Sequence, residues 1–159
     1  MYTVTNLTES QFSMNLHDFL PYRLAVAAET VSRALAAVYN ARFDLTRDEW
    51  RVLAWLAEDR EVTATELGVR SALDKMQVSR ALARMERDGL VERAPDPADR
   101  RNLLVRLKAP GRALYKKVVP MAKAREAFLL DALDADERET FDRALAKLQA
   151  RARQLLEQG

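Results

Sequence analysis

The sequence contains no cysteine, one histidine and only four glycines among its 159 residues. Without cysteine the chain has no disulfides, no thiolate chemistry and no thiol-based redox sensing. A single histidine, with carboxylates that show no metal-ligand spacing, argues against a metal site. Four glycines are too few for a glycine-rich phosphate loop. No Ser/His/Asp set or pair of catalytic carboxylates stands out, so we expect neither an enzyme nor a bound cofactor.

Long apolar runs are also missing. No stretch of 18 consecutive apolar residues occurs, and no signal-peptide pattern opens the chain. We therefore expect no membrane partner and a cytoplasmic location. Hydrophobic residues make up 48% of the chain and charged residues 31%, which is enough for a buried core with a soluble surface. The length favours one compact domain or two small lobes that share a core.

The formal net charge is only +2, so the total gives no sign of a nucleic-acid partner. The distribution of charge along the chain does indicate such a partner. Seven basic residues lie between positions 74 and 101, on a predicted helix surface and a predicted turn tip: Lys75, Arg80, Arg84, Arg87, Arg93, Arg100 and Arg101. Six acidic residues share that stretch, but the basic ones occupy places that a polyanion can reach.

One local pattern occurs three times: an apolar residue, a cap, two further residues, Glu or Gln, and an apolar residue. Its copies span residues 45–50, 62–67 and 73–78, with Thr46, Thr63 and Asp74 as the caps. This is a capping box enclosed by a hydrophobic staple, so helices are predicted to start near Arg47, Ala64 and Lys75. Only residues 71–73 separate the second helix from the third, which predicts a helix-turn-helix.

The third helix is predicted to run over residues 74–88 and to stop at Gly89. Residues 90–94 and 103–107 follow as two short strands, joined by the polar turn 95–101 with Arg100 and Arg101 near its end. A helix can enter a major groove, about 12 Å wide, and an arginine tip can reach a narrow minor groove. The layout therefore suits double-stranded DNA.

The remaining chain predicts more helix. Pro21 and Pro110 suit first helical turns, Asp134 caps a last helix, and Pro120 should kink the helix that contains it. Residues 1–15 lack a period and are expected to form an irregular arm, held by Phe12 and Leu16. One-sided apolar stripes on the terminal helices favour a homodimer. We therefore divide the chain into a helical dimerisation region, 1–44 with 109–159, and a DNA-binding domain, 45–108.

The candidate DNA contacts on the third helix lie off its apolar stripe of Val78, Leu82 and Met85. They are Lys75, Gln77, Ser79, Arg80 and Arg84. Glutamine can pair with adenine, and arginine or lysine with guanine, while serine can reach a base or a phosphate. The alternative is a solvated charged face. Placement after a capped short helix and before a basic hairpin favours DNA.

At the turn tip, Asp99 and Arg101 are two residues apart in what we expect to be an extended segment, so their side chains should point the same way. Asp99 could then hold Arg101 by a charge-assisted hydrogen bond, ready to enter a minor groove, with Arg100 beside it. The alternative is an ordinary polar turn, for which Asp96-Pro97 is generic chemistry. The cluster of Asp99, Arg100 and Arg101 is more specific.

A further set combines aromatic residues with one arginine: His17, Tyr22, Arg23, Tyr39 and Trp50. Two interpretations stay open. The aromatics could pack in the core or in a dimer interface, or they could line an apolar pocket whose arginine holds a small anionic aromatic or phenolic ligand.

These residues together resemble the MarR family of bacterial transcription regulators. The resemblance rests on Glu66-Leu67, on Val78-Ser79-Arg80, on residues 82–93 and on Asp99-Arg100-Arg101, and extends to residues 20–24 and 45–53. It implies a mainly α fold with a small β-hairpin wing, in which a winged helix-turn-helix adjoins a helical dimerisation region. Ser79 and Arg80 would contact DNA from the recognition helix, and Arg101 would be the wing arginine, buttressed by Asp99.

The resemblance further implies a homodimer that binds a pseudo-palindromic operator, usually as a repressor. It also implies that a small aromatic anion causes release of the DNA, as it does in many members of the family. The peroxide-sensing branch of the family uses a cysteine, which this chain lacks. The alternative from another class is a dimeric helical module that binds a protein partner through its winged face. The operator, the regulated genes, the effector and the sign of regulation stay open.

Overall fold

The computed structural model describes residues 14–58 and 61–158. The elements are α1 (Leu20–Phe43), α2 (Arg47–Glu58), β1 (Val62–Thr63), α3 (Ala64–Ser71), α4 (Lys75–Arg87), β2 (Val91–Pro95), β3 (Leu103–Leu107), α5 (Ala109–Leu130) and α6 (Ala135–Gln158). The predicted mainly helical fold with a small β-hairpin is confirmed. The predicted arm, with Phe12, lies outside the described residues except for positions 14 and 15, and Leu16 is exposed.

The capping pattern places the helix starts where the sequence predicted them. The Asp74 carboxylate accepts from the Gln77 backbone N–H at 2.8 Å, and the Gln77 amide oxygen accepts from the Asp74 N–H at 2.9 Å. The same reciprocal pair joins Thr46 and Glu49 at the start of α2. Thr63 accepts from the Glu66 N–H at the start of α3. Each cap satisfies a backbone donor that would otherwise lack a partner, and contributes about 1 kcal/mol.

The sheet has one more strand than the sequence predicted. Its order is β1-β3-β2, with antiparallel pairing throughout. We missed β1 because it has two residues, and one of them, Thr63, is also the cap of α3. Its pairing of Val62 with Val105 joins residues far apart in the chain, which leaves no local signal.

The hairpin begins one residue later than predicted because a helix stop uses Leu90. Gly89 has φ of 70° and donates to the Glu86 carbonyl at 3.0 Å, while Leu90 donates to the Met85 carbonyl at 2.8 Å. These two bonds form the predicted glycine-terminated stop. Strand β2 therefore starts at Val91, and the segment from β2 through β3 is called the wing below.

One continuous core joins α2, α4 and the wing to α1 and α5, which together with α6 are called the outer helices below. It contains Val52, Leu53 and Leu56 of α2, Val78, Leu82 and Met85 of α4, and Val91, Val105 and Leu107 of the wing, and it reaches Tyr39 of α1 and Val118 of α5. The predicted inner stripe of α4 is thus confirmed. The start of α5 approaches the helix stop before β2 closely, since a Cβ on Gly111 would lie 2.3 Å from the Leu90 carbonyl oxygen.

The outer helices expose much apolar surface. All of α6 is described, and none of its 24 residues is buried. Its exposed apolar side chains include Phe141, Leu148, Leu155 and Leu156, and those of α1 include Leu20, Tyr22, Leu24, Val26 and Val31. Pro120 lies inside α5, and the kink expected there stays a prediction. Among the described residues, no helix is long and apolar enough to cross a membrane.

Candidate DNA-binding surface

The outer side of α4 presents part of the predicted DNA-contact set to solvent. Lys75, Ser79 and Arg80 are exposed, and the capping box fixes the end of the helix from which they project. Gln77 is partly buried, and its amide oxygen is occupied by the bond from the Asp74 N–H. A bidentate contact between Gln77 and adenine would therefore require the capping box to open.

Arg84 has different contacts from its predicted neighbours on α4. Its Nη2 donates to the Asp44 carbonyl at 2.7 Å and to the Asp44 carboxylate at 2.6 Å, and its Nε lies 3.3 Å from Oε1 of Glu49. Glu49 is only 3% exposed. The guanidinium of Arg84 thus neutralises a buried carboxylate and ties α4 to the junction between α1 and α2. Arg84 lies one turn beyond Arg80 on the same helix, but its guanidinium bonds to Asp44 and Glu49.

A cleft of about 460 Å³ lies between α3, α4 and the wing. Lys75 and Ser79 line it from α4, and Arg93 lines it from β2. Arg93 was not among the predicted contacts, and its Nη2 lies 2.9 Å from the Glu86 carboxylate. This ion pair joins β2 of the wing to α4, so it helps to fix the position of the wing relative to α4.

The wing tip holds its arginine by a bidentate ion pair. Nε and Nη2 of Arg101 donate to Oδ1 and Oδ2 of Asp99, each at 3.0 Å. The predicted charge-assisted bond is present, but the predicted extended segment was wrong. Residues 99–102 form a turn, in which the Asn102 N–H donates to the Asp99 carbonyl and the Arg101 N–H to the Asp99 carboxylate. The turn, and not strand alternation, brings the two side chains together.

The charges at the wing tip face solvent. The Arg101 side chain is 90% exposed, and Arg100 is exposed beside it. The Arg101 guanidinium holds the pKa of the Asp99 carboxyl below its ordinary value, through the side-chain bonds and then the backbone bond. The same ion pair raises the pKa of Arg101. Asp99 orients Arg101 without burying it, which leaves the guanidinium accessible to a polyanion.

The structure separates the aromatic set into two groups. His17, Tyr22 and Arg23 line a depression at the start of α1, where the His17 and Tyr22 rings lie 6.3 Å apart, edge to face. Tyr39 lies about 25 Å further along the same helix. It is 2% exposed, and its ring centroid lies 5.6 Å from that of Trp50. The core-packing interpretation is therefore confirmed for Tyr39, whose pKa is raised by burial.

Trp50 lines a second cavity, of about 370 Å³, between α1, α2 and α5. The Tyr115 ring stacks on the Trp50 ring, with ring centroids 6.0 Å apart. Lys123, Glu58 and Glu126 also line the cavity. Neither Tyr115 nor Lys123 was predicted from the sequence. The available signal was the recurrence of Tyr115, Val119 and Ala122 at positions i, i+4 and i+7, which places them on one helix face. Across residues 14–58 and 61–158, no group of three or more His, Cys, Asp or Glu could hold a metal ion.

Comparisons with known proteins agree with this geometry. The sequence profile of the MarR family matches residues 43–102. The chain is 33% identical over 102 residues to the homoprotocatechuate degradative operon repressor of Escherichia coli, covering 64% of this chain and 68% of that protein. It is 30% identical over 131 residues to the HTH-type transcriptional repressor Mb2911 of Mycobacterium bovis, covering 82% of this chain and 91% of that one.

Solved structures show the same fold. A mutant of MarR from Escherichia coli in complex with operator DNA matches with a TM-score of 0.74 and 27% identity, over 86% of this chain and 99% of that one. A MarR-family regulator from Silicibacter pomeroyi matches with a TM-score of 0.72 and 26% identity, over 86% of this chain and 92% of that one. The profile match, the curated repressors and the structural neighbours converge: this chain belongs to the MarR family of transcription regulators.

Proposed function

We propose that the chain is a homodimeric transcriptional repressor that binds a pseudo-palindromic operator through α4 and the wing. The observation that carries this proposal is the capped, solvent-facing α4 beside a wing whose arginine is oriented by Asp99 and 90% exposed. A recognition helix reads base edges from the major groove, while an arginine at a wing tip suits a narrow minor groove.

Each basic residue receives a separate task in this proposal. Arg80 contacts base edges, Lys75 and Ser79 contact phosphates or bases nearby, and Arg100 and Arg101 contact the minor groove and its phosphates. Gln77 holds the capping box closed, and Arg84 positions α4 through its ion pair with Glu49. In this proposal Gln77 and Arg84, which the sequence predicted as DNA contacts, therefore act by positioning α4.

The proposed dimer follows from the exposed apolar surface of the outer helices. Helix α6 has no buried residue along its 24 positions, and α1 exposes large apolar side chains over several turns. A second copy can cover such surface, and a two-fold axis would pair two DNA-binding lobes with two operator half-sites. Residues 1–44 and 109–159 thus form the proposed dimerisation region, and residues 45–108 the DNA-binding domain.

A small aromatic effector is the third part of the proposal. The cavity of about 370 Å³ has a suitable size and a stacked aromatic wall of Trp50 and Tyr115. Lys123 supplies a cation for an acidic ligand, and Glu58 and Glu126 can accept hydrogen bonds from phenolic hydroxyls. The cavity lies where α1 and α5 meet α2, so a ligand there could shift the DNA-binding lobe relative to the outer helices.

Titration of a labelled mixed-sequence duplex at several salt concentrations tests the DNA-binding proposal. The double variant Arg80→Ala/Arg101→Ala removes two charges from the proposed surface, and Lys116→Ala/Lys117→Ala removes two exposed charges from α5 as the matched control. We expect the first variant alone to bind more weakly and to flatten the salt slope by about 0.9 for each phosphate that it no longer neutralises. Equal weakening in both variants would contradict the proposed surface. No binding by the unmodified protein at any salt concentration would favour a protein-docking module.

A further inference from the structure

The outward face of α4 carries an apolar residue near its capped end. Val78, Leu82 and Met85 define the inner face of the helix. At about 3.6 residues per turn, position 76 lies nearly opposite this inner face and one turn before Arg80. Met76 is 65% exposed, so most of its side chain is open to solvent on the same side as Arg80.

Scattered apolar residues on a protein surface usually need no functional explanation. Met76 differs because it is the second residue of α4, at the end of the helix where recognition helices meet base edges. Its exposed neighbours Lys75, Ser79 and Arg80 offer hydrogen bonds or charge, whereas its thioether is at most a weak acceptor. Met76 is therefore suited to an apolar contact between polar ones.

The major groove offers one apolar group on its base edges, the C5-methyl of thymine. Methionine is unbranched and polarisable, which lets it adapt to the position of such a methyl group. Building on the proposed DNA-binding function, we propose that Met76 is a specificity-determining residue that packs against the C5-methyl group of one thymine in each operator half-site.

Deoxyuridine provides a direct test because it removes the methyl group and leaves every hydrogen-bonding group of thymine in place. Each thymine of a duplex selected from a random pool is replaced singly by deoxyuridine, and affinities are measured for the unmodified protein and for Met76→Leu and Met76→Gln. Val69→Gln is the matched control, since Val69 is an 80% exposed apolar residue of α3. Melting temperatures of all variants verify that they are folded.

We expect one thymine per half-site whose replacement weakens binding by the unmodified protein about fourfold, the effect of one methyl-sized group leaving an apolar contact. Met76→Leu and Val69→Gln should keep this dependence, and Met76→Gln should lose it. The role of Met76 is refuted if no thymine shows the effect, or if Met76→Gln shows it undiminished. A normal consensus site without the methyl effect overturns the Met76 proposal alone. Failure of the unmodified protein to select any duplex overturns the proposed function and this inference with it.

Discussion

Replacing Arg84 with methionine should destabilise the fold, although Arg84 lies one turn beyond the proposed DNA contact Arg80. The substitution removes the guanidinium and keeps an unbranched apolar stem of similar length. It deletes the bond to the Asp44 carbonyl and the ion pairs with the carboxylates of Asp44, Glu49 and Asp88. The Arg84 side chain is 30% exposed, so solvent screens these contacts only in part.

The magnitude follows from the exposure of each partner. The Asp44 side chain is 89% exposed, so its ion pair contributes about 0–1 kcal/mol. A hydrogen bond from a charged donor contributes about 1.5–3 kcal/mol, and the partial exposure of Arg84 places the bond to the Asp44 carbonyl at the lower end. Glu49 keeps its bond from the Thr46 N–H but loses its cation while buried. The loss of the cation beside buried Glu49 adds at least about 1 kcal/mol. We therefore expect a total loss of about 3 kcal/mol, or about 6–12 °C in melting temperature for a chain of this size.

Urea unfolding at one fixed protomer concentration measures the loss, because the stability of a dimer depends on concentration. Two variants serve as controls. Asp44→Asn removes the exposed charge and still tolerates the left-handed backbone at φ of 51°, so it should cost less than about 1 kcal/mol. Arg80→Met should leave stability within about 0.5 kcal/mol and weaken DNA binding. If Arg84→Met instead keeps full stability and weakens DNA binding as Arg80→Met does, Arg84 is a DNA contact and the positioning role is wrong.

Four further predictions concern the wing, the packing of α5 and the effector cavity. Asp99→Ala should weaken operator binding, because it removes the ion pair that orients Arg101. Simple electrostatics predicts tighter binding instead, because a negative charge is removed near DNA. A titration that shows tighter binding would refute the orienting role of Asp99. In an NMR titration, the pKa of the Asp99 carboxyl should lie below the ordinary value for aspartate and should rise towards it in Arg101→Ala. The ion pair is therefore present at neutral pH and is lost as the pH falls through the lowered pKa of the folded protein. Gly111→Ala should cost about 1–3 kcal/mol in urea unfolding, because its Cβ would lie 2.3 Å from the Leu90 carbonyl oxygen. A neutral result would show that α5 can shift away from Leu90. A panel of aromatic carboxylates should include one that weakens DNA binding by the unmodified protein and not by Trp50→Ala, and a hit unaffected by Trp50→Ala would place the ligand elsewhere.

Features encoded within a few residues could be predicted from the sequence. The three predicted helix caps, two of which are complete capping boxes, and the Gly89 stop depend on bonds between residues at most five apart. Their boundaries were confirmed to within a residue or two. The inner face of α4 follows from helical periodicity alone. These signals sufficed for the fold class and for the resemblance to the MarR family.

Features that depend on distant partners could not be predicted. Asp44, the partner of Arg84, lies 40 residues earlier in the chain, so no local pattern distinguished Arg84 from Arg80. Strand β1 exists only through its pairing with β3. Tyr115 reaches Trp50 only when α5 packs on α2, which is why the aromatic wall was assigned incompletely. The tertiary fold decides these contacts.

Selection of bound duplexes from a random pool tests the central claim most directly, namely that a symmetric dimer reads DNA through α4 and the wing. The Arg80→Ala/Arg101→Ala variant is carried through the same selection as the control. We predict that the unmodified protein enriches an inverted repeat whose half-sites lie about one helical turn, 10–10.5 base pairs, apart, and that the variant does not. Enrichment of the same repeat by both proteins, or of no repeat by either, would contradict the claim.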